Sequence, residues 1–188
     1  MEFVRLPLAH GGGVNAVWQD GDVNQGRDVL MSKAEDALKL FEAAVGQSEG
    51  TGEWLEVTQD RINAFADVTE DHQFIHVDPK LASELSPWGV TIAHGFLTLS
   101  LLVKLAESIP QPAERFDGVV MGVNYGFEKV RFINAVKVGS KIRCSSVLAA
   151  VELKDPNTLQ TTRTMTVEID GESKPALVAD WLTRIVYG

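Results

Sequence analysis

From Ser32 onward the apolar residues fall at helical spacing. Ala34, Ala37, Leu38, Phe41, Ala44 and Val45 share one face behind a Ser N-cap, which predicts a short amphipathic helix ending near Gly46. Residues 1 to 29 have no such period; Gly11-Gly12-Gly13, Asp20-Gly21-Asp22 and Asn24-Gln25-Gly26 read as a poorly structured, extended arm. Gln47 to Gly52 reads as a loop and Trp54 to Val57 as a short strand. Thr58 then caps a second helix with Ile62, Phe65, Ala66 and Thr69 on one face. Asp78-Pro79 has the form of an N-cap followed by N1, and starts another short helix with Leu81, Ala82 and Leu85 as its buried side. The polar segment from Asp71 to His76 is therefore expected to be a loop pinned by helices at both ends.

Pro87-Trp88-Gly89 makes a turn, and Ala93 to about Glu107 predicts a helix that is apolar on nearly all sides through Val103. Such a helix is expected to be enclosed by the rest of the protein. Beyond it Val, Ile and Thr dominate residues 118–123, 128–133, 141–153, 159–169 and 176–187, with hairpin turns at Asp155-Pro156-Asn157 and Asp170-Gly171. The expected fold class is α+β: an antiparallel β-sheet curled around one central buried α-helix, in a single domain over residues 30–188 with an N-terminal helical extension. A second copy of the chain can close the edges and outer face of such a sheet, so a homodimer is expected.

Composition narrows the function classes. A hydrophobic fraction of 45% and a charged fraction of 23% are ordinary for a globular chain and argue against general disorder. Seventeen Lys and Arg against 26 Asp and Glu give a net charge of −9, which disfavours nonspecific binding of nucleic acid or anionic membrane by the whole surface. The longest strongly apolar stretch, Phe96 to Val103, is far shorter than the ~20 residues of a bilayer span. The single Cys144 excludes an intrachain disulfide and, with four scattered His residues, gives no closed zinc pattern. A cytoplasmic setting is expected, with no secretory signal and no metal.

The chemistry concentrates in Asp71-His72-Gln73-Phe74-Ile75-His76 and in His94-Gly95 at the head of the apolar helix. A carboxylate and an imidazole on one supported loop can both point at a single water, which is what general acid-base catalysis requires. An isolated pair of this kind is more often two solvated polar side chains, so its context decides. Gly11-Gly12-Gly13 lacks the strand, helix and Lys-Ser/Thr of a phosphate-binding loop. Ser100 on the central helix more naturally bonds back to the helix backbone.

Three ordered blocks resemble the MaoC-like, or R-specific enoyl-CoA hydratase (hydratase 2), family. Phe65-Ala66-Asp67 leads into Asp71 to Pro79, Thr91-Ile92-Ala93-His94-Gly95-Phe96-Leu97-Thr98 matches the family's central helix start, and Asn124 to Phe132 with Val136-Lys137-Val138-Gly139-Ser140 is similar to the strand and turn that follow. The resemblance covers roughly Val57 to the C-terminus. Gln73, Phe74, Glu70 and Ile133-Asn134-Ala135 depart from the family's usual Asn, Pro, Gly and Pro-rich corner. None of these departures removes a catalytic group.

The resemblance implies a hot dog fold and reversible addition of water to trans-2-enoyl thioesters, giving (R)-3-hydroxyacyl thioesters. In it Asp71 and His76 hold the water, and the Gly95 N–H stabilises the thioester oxygen. The substrate is an acyl-CoA or acyl-carrier-protein (acyl-ACP) thioester, and no separate cofactor is implied. His94 is assigned to the substrate region, with orienting the loop or capping the helix as its expected role. Asn124 could line the pocket or satisfy a bulge, and Arg131 could meet a CoA phosphate or be a strand-surface charge. His72 is expected at the surface, and His10 has no implied role. The competing readings are a hot dog acyl-CoA thioesterase and a noncatalytic acyl-thioester-binding partner subunit of a dehydratase.

Overall fold

The computed structural model describes residues 32–188; the expected arm at 1–29 lies outside them. Local capping chemistry sets most helix starts. Helix α1 (Lys33–Glu42) begins at a capping box in which the Ser32 side chain accepts from the Glu35 N–H and the Glu35 carboxylate accepts from the Ser32 N–H. Helix α2 (Gln59–Thr69) is capped by Thr58, and α4 (Pro79–Leu85) by Asp78, whose Oδ1 accepts the Leu81 N–H at 2.9 Å. A short α3 (Phe74–Val77) lies inside the segment expected to be a loop. The central helix runs as α5 (Gly95–Ser100) and α6 (Leu102–Ala106), linked by Leu101 N–H to Leu97 O and Leu105 N–H to Leu101 O, both 2.9 Å.

Among the described residues six strands form one antiparallel sheet: β1 (Ser48–Thr51), β2 (Leu55–Glu56), β3 (Val119–Phe132), β4 (Lys141–Asp155), β5 (Thr158–Ile169) and β6 (Leu177–Tyr187). Their order is β1-β4-β5-β6-β3, with β2 also pairing β4, so β3 is an edge. The two-residue period turns Ile142, Cys144, Met165, Val167, Leu177 and Ala179 inward. There they meet Leu97, Leu101, Leu102 and Leu105 of the central helix. Fully burying a leucine is worth about 1.5–3 kcal/mol, so this contact anchors the helix on the sheet. At the other end of the same inner face, Phe41 and Ala37 of α1 cover Leu148, Leu159, Ile185 and Tyr187.

Five details differ from the sequence expectation. Residues 48–51 are a strand rather than a loop, because their backbone pairs with residues 145–147 of β4 although Ser-Glu-Gly-Thr carries no apolar alternation. The segments expected at 118–123 and 128–133 are one strand, whose irregularities at Asn124/Gly126 and Glu128/Arg131 mimic a break in the pattern. The Asp71 to His76 loop contains α3. In α4 only Ala82 is buried; Leu81 and Leu85 are exposed. The central helix is not enclosed all round within one chain, since Phe96 and Val103 stand exposed. Among the described residues no helix is long and apolar enough to cross a membrane.

Candidate active site

Glu70 ends α2 in the left-handed conformation, at φ 62°, and so turns the chain sharply into Asp71. Asp71 keeps an exposed carboxylate, one oxygen of which lies 3.5 Å from the Gln73 N–H. His76 sits in α3 and is only 6% exposed; its backbone N–H donates to Gln73 O at 2.9 Å. His94 is the N-cap residue of α5 and is 2% exposed. The two imidazoles stack with centroids 3.8 Å apart, and Phe65 lies against His94 at 5.0 Å. The family block of Phe65, Asp71, His76, His94 and Gly95 is thus gathered at one place, and His94, expected to orient the loop or cap the helix, is both the N-cap residue of α5 and hydrogen-bonded to the Asp71 backbone.

Backbone carbonyls fix the proton on each ring. His76 Nδ1 is 2.7 Å from Ile92 O and His94 Nε2 is 2.9 Å from Asp71 O. A carbonyl only accepts, so Nδ1–H of His76 and Nε2–H of His94 donate. The other nitrogens are His76 Nε2 and His94 Nδ1, and the buried His94 Nδ1 has no partner among the described residues. Burial pushes the His76 pKa below the ordinary imidazole value, reinforced by His94 and opposed by the Ile92 carbonyl and Asp71. The site therefore holds a neutral base near neutral pH.

Asp71, His76 and His94 each offer a ligand atom within 4.8 Å of the others, a donor set that could hold a divalent cation. Near-parallel rings, 25° apart, project their in-plane lone pairs side by side rather than toward one tetrahedral centre.

Gly95 opens α5, and its N–H has no backbone acceptor among the described residues, as expected at a first helical turn. A Cβ at this position would meet the Phe132 ring at 3.0 Å, so glycine keeps the approach to that N–H open. A cavity of about 360 Å³ adjoins it, lined by Thr98, Phe132, Asn134 and Trp88 among others.

Two proposed site residues are not brought to this cluster. Asn124 lines a separate cavity, beside α6 and the inner face of the sheet. Arg131 is exposed on β3, with Nη1 donating to Val130 O at 2.7 Å. His72 is at the surface as expected, paired with Asp67, whose hydrogen bond raises its pKa. Sequence reasoning missed the supports of the site. Gln59 Nε2 donates to His76 O at 2.7 Å, and Thr91 Oγ1 donates to Gln59 Oε1 at 2.5 Å, which fixes α3 to α2. Neither residue type carries a sequence signal for that task, and a carbonyl such as that of Ile92 carries none at all.

The MaoC-like domain model matches residues 40–169. Nodulation protein N of Rhizobium meliloti is 47% identical over 149 residues, covering 79% of this chain and 90% of the relative. The 3-hydroxyacyl-thioester dehydratase Z of Mycobacterium tuberculosis is 46% identical over 144 residues, covering 77% and 92%. Among solved structures, the (R)-hydratase from A. caviae involved in PHA biosynthesis superposes with a TM-score of 0.58 at 22% identity, covering 74% of this chain and 94% of that one. The MaoC-like dehydratase from Rhodospirillum rubrum does so with 0.62 at 21%, covering 79% and 97%. These two superpositions establish the hot dog fold.

Proposed function

Because this chain belongs to the MaoC-like dehydratase family, we propose that it is an (R)-specific enoyl-CoA hydratase, adding water reversibly to trans-2-enoyl thioesters of CoA or acyl-carrier protein. The observation that carries the reading is the cluster of an exposed carboxylate and two imidazoles of fixed tautomer beside the open Gly95 N–H.

Asp71 and His76 hold the water, and His76 Nε2 takes one of its protons as the oxygen bonds to C3. The C2–C3 π pair moves to C2 and onto the thioester oxygen, where the Gly95 N–H stabilises the developing charge. The proton then passes from His76 to C2 on the face the water entered, completing a syn addition and restoring neutral His76. Positioned proton transfer of this kind is worth about 10² to 10⁴ in rate. In this scheme CoA is part of the substrate, and no step calls on a metal or redox cofactor. The same reading takes a homodimer in which a second copy covers the exposed apolar residues Val120, Met121 and Tyr125 of β3. It places the chain in the cytoplasm, where a lone buried Cys144 stays reduced.

Crotonyl-CoA tests the reaction. Loss of enone absorbance without free thiol supports hydration, whereas thiol release identifies a thioesterase and inert wild type a noncatalytic subunit. Asp71→Asn and His76→Ala should each lower kcat by about 10² to 10⁴; wild-type turnover in both would defeat the assignment.

A further inference from the structure

Midway along the inner face of the sheet the apolar surface is interrupted. Ser146 of β4, Thr161 and Arg163 of β5 and Thr183 of β6 share the inward register of Cys144, Met165 and Ile185, and Ser146 and Thr161 are buried. Glu49 of β1 enters this seam. Its Oε2 accepts from Ser146 Oγ at 2.7 Å and from Arg163 Nε at 2.8 Å, and its Oε1 accepts from Arg115 Nη1 at 3.4 Å. The side chains of Glu49, Arg115 and Arg163 are 4%, 12% and 13% exposed.

Two guanidiniums facing one carboxylate leave a formal charge of +1 in the interior of a chain whose net charge is −9. A buried charge without its counterpart is costly, so the seam is electrostatically incomplete. Its hydrogen bonding is incomplete as well. Arg163 Nη1 donates to Thr161 and Thr183. Trp181, 8% exposed, carries a buried Nε1–H with no acceptor. Buried donors in native proteins are almost always paired.

Arg163 and Trp181 line the same cavity, of about 300 Å³, with the Glu49 carboxylate that Arg163 pairs also in its wall; the remaining wall is largely apolar and includes Val103, Ala106 and Phe116. A lipid-like wall with a cationic, donor-rich patch is complementary to one kind of ligand. We infer that this cavity receives an aliphatic chain ending in a carboxylate, with the chain against α6 and the carboxylate on Arg163 and Trp181. Two sources share that chemistry. One is the far end of a thioester substrate, which rests on the hydratase reading; Val103 stands eight residues beyond Gly95, about 12 Å along the helix, so such a chain needs about ten carbons. The other is a free fatty acid held independently of catalysis.

Calorimetry on the full chain reads the cavity without any turnover. Decanoate should bind at least about tenfold more tightly than decanol, and Trp181→Phe, which keeps a ring against Phe127 but removes the N–H, should reduce that advantage to under about threefold. If that variant does not fold, Glu49→Gln/Arg163→Met, which removes both members of the pair, replaces it. Turnover then assigns the source. A preference of about tenfold in kcat/KM for trans-2-decenedioyl-CoA over trans-2-decenoyl-CoA assigns the site to the substrate's far end, and decanoate binding without that preference assigns it to a free acid. Inert crotonyl-CoA would end the hydratase reading and leave the calorimetric result standing alone. Equal binding of decanoate and decanol, together with no preference between the two enoyl-CoAs, overturns the inference.

Discussion

Alanine at position 95 separates what the glycine does for the fold from what it does for the chemistry. A Cβ there meets Phe132 Cδ1 at 3.0 Å and Cε1 and Cγ at 3.1 Å, whereas carbon atoms settle at about 3.5–4.0 Å. The ring must withdraw by roughly 0.5 Å or more. It has room to do so, because Phe132 is 49% exposed at the end of edge strand β3. A displaced rotamer costs about 0.5–1.5 kcal/mol, and exchanging Gly for Ala in a helix returns up to about 1 kcal/mol. The terms largely offset, so Tm should move by no more than about 6 °C, given roughly 2–4 °C per kcal/mol at this chain length. Turnover is not spared. The methyl stands beside the N–H that the thioester oxygen must reach in the proposed mechanism, and losing one such donor lowers kcat by about 10² to 10³. Thermal melts and crotonyl-CoA hydration by Gly95→Ala measure both effects. Wild-type turnover, or a fall of 10 °C or more in Tm, would refute the reasoning.

Three further outcomes follow from other parts of the molecule. His76 has its pKa lowered by burial, so its neutral form contributes stability that is present above about pH 6.5 and is lost as pH falls below that toward the folded-state value. Urea melts of wild type should lose stability relative to His76→Gln on going from about pH 7.5 to about pH 5.5, and a constant gap would contradict the sign. Burial pushes the Cys144 thiol up to about 11, so a thiol reagent should label the protein only on unfolding; rapid labelling of the folded protein would show the site to be accessible. Glu49→Ala leaves the Arg115 and Arg163 guanidiniums without their carboxylate, which should cost about 3–5 kcal/mol and appear as a Tm lower by about 6–20 °C.

What could be read from the chain beforehand was whatever is local. Ser32, Thr58 and Asp78 announce α1, α2 and α4 because a cap is made by residues three apart in sequence. Strand β1 was hidden, since its pairing partner lies about a hundred residues away and its own side chains have no period. The exposure of Leu81, Leu85 and Phe96 depends on which neighbours arrive, and spacing alone does not say. At the site, Asp71, His76, His94 and Gly95 stood out by type and order. Their tautomers did not, because the groups that set them are the carbonyls of Ile92 and Asp71, which every residue possesses.

Those two carbonyls carry a consequence for transplanting the activity. A side-chain partner can be copied by writing the same letter at the same position, but a main-chain partner moves only with its backbone. Grafting Asp71, His76, His94 and Gly95 onto another hot dog scaffold would therefore transfer the proposed reacting groups without the instruction for where their protons sit. The portable unit is a pair of peptide paths, residues 70–77 and 91–95, held at their mutual spacing. Drift in the side chain of Ile92 is harmless to the proton map, while a one-residue insertion between Thr91 and Gly95 would erase it.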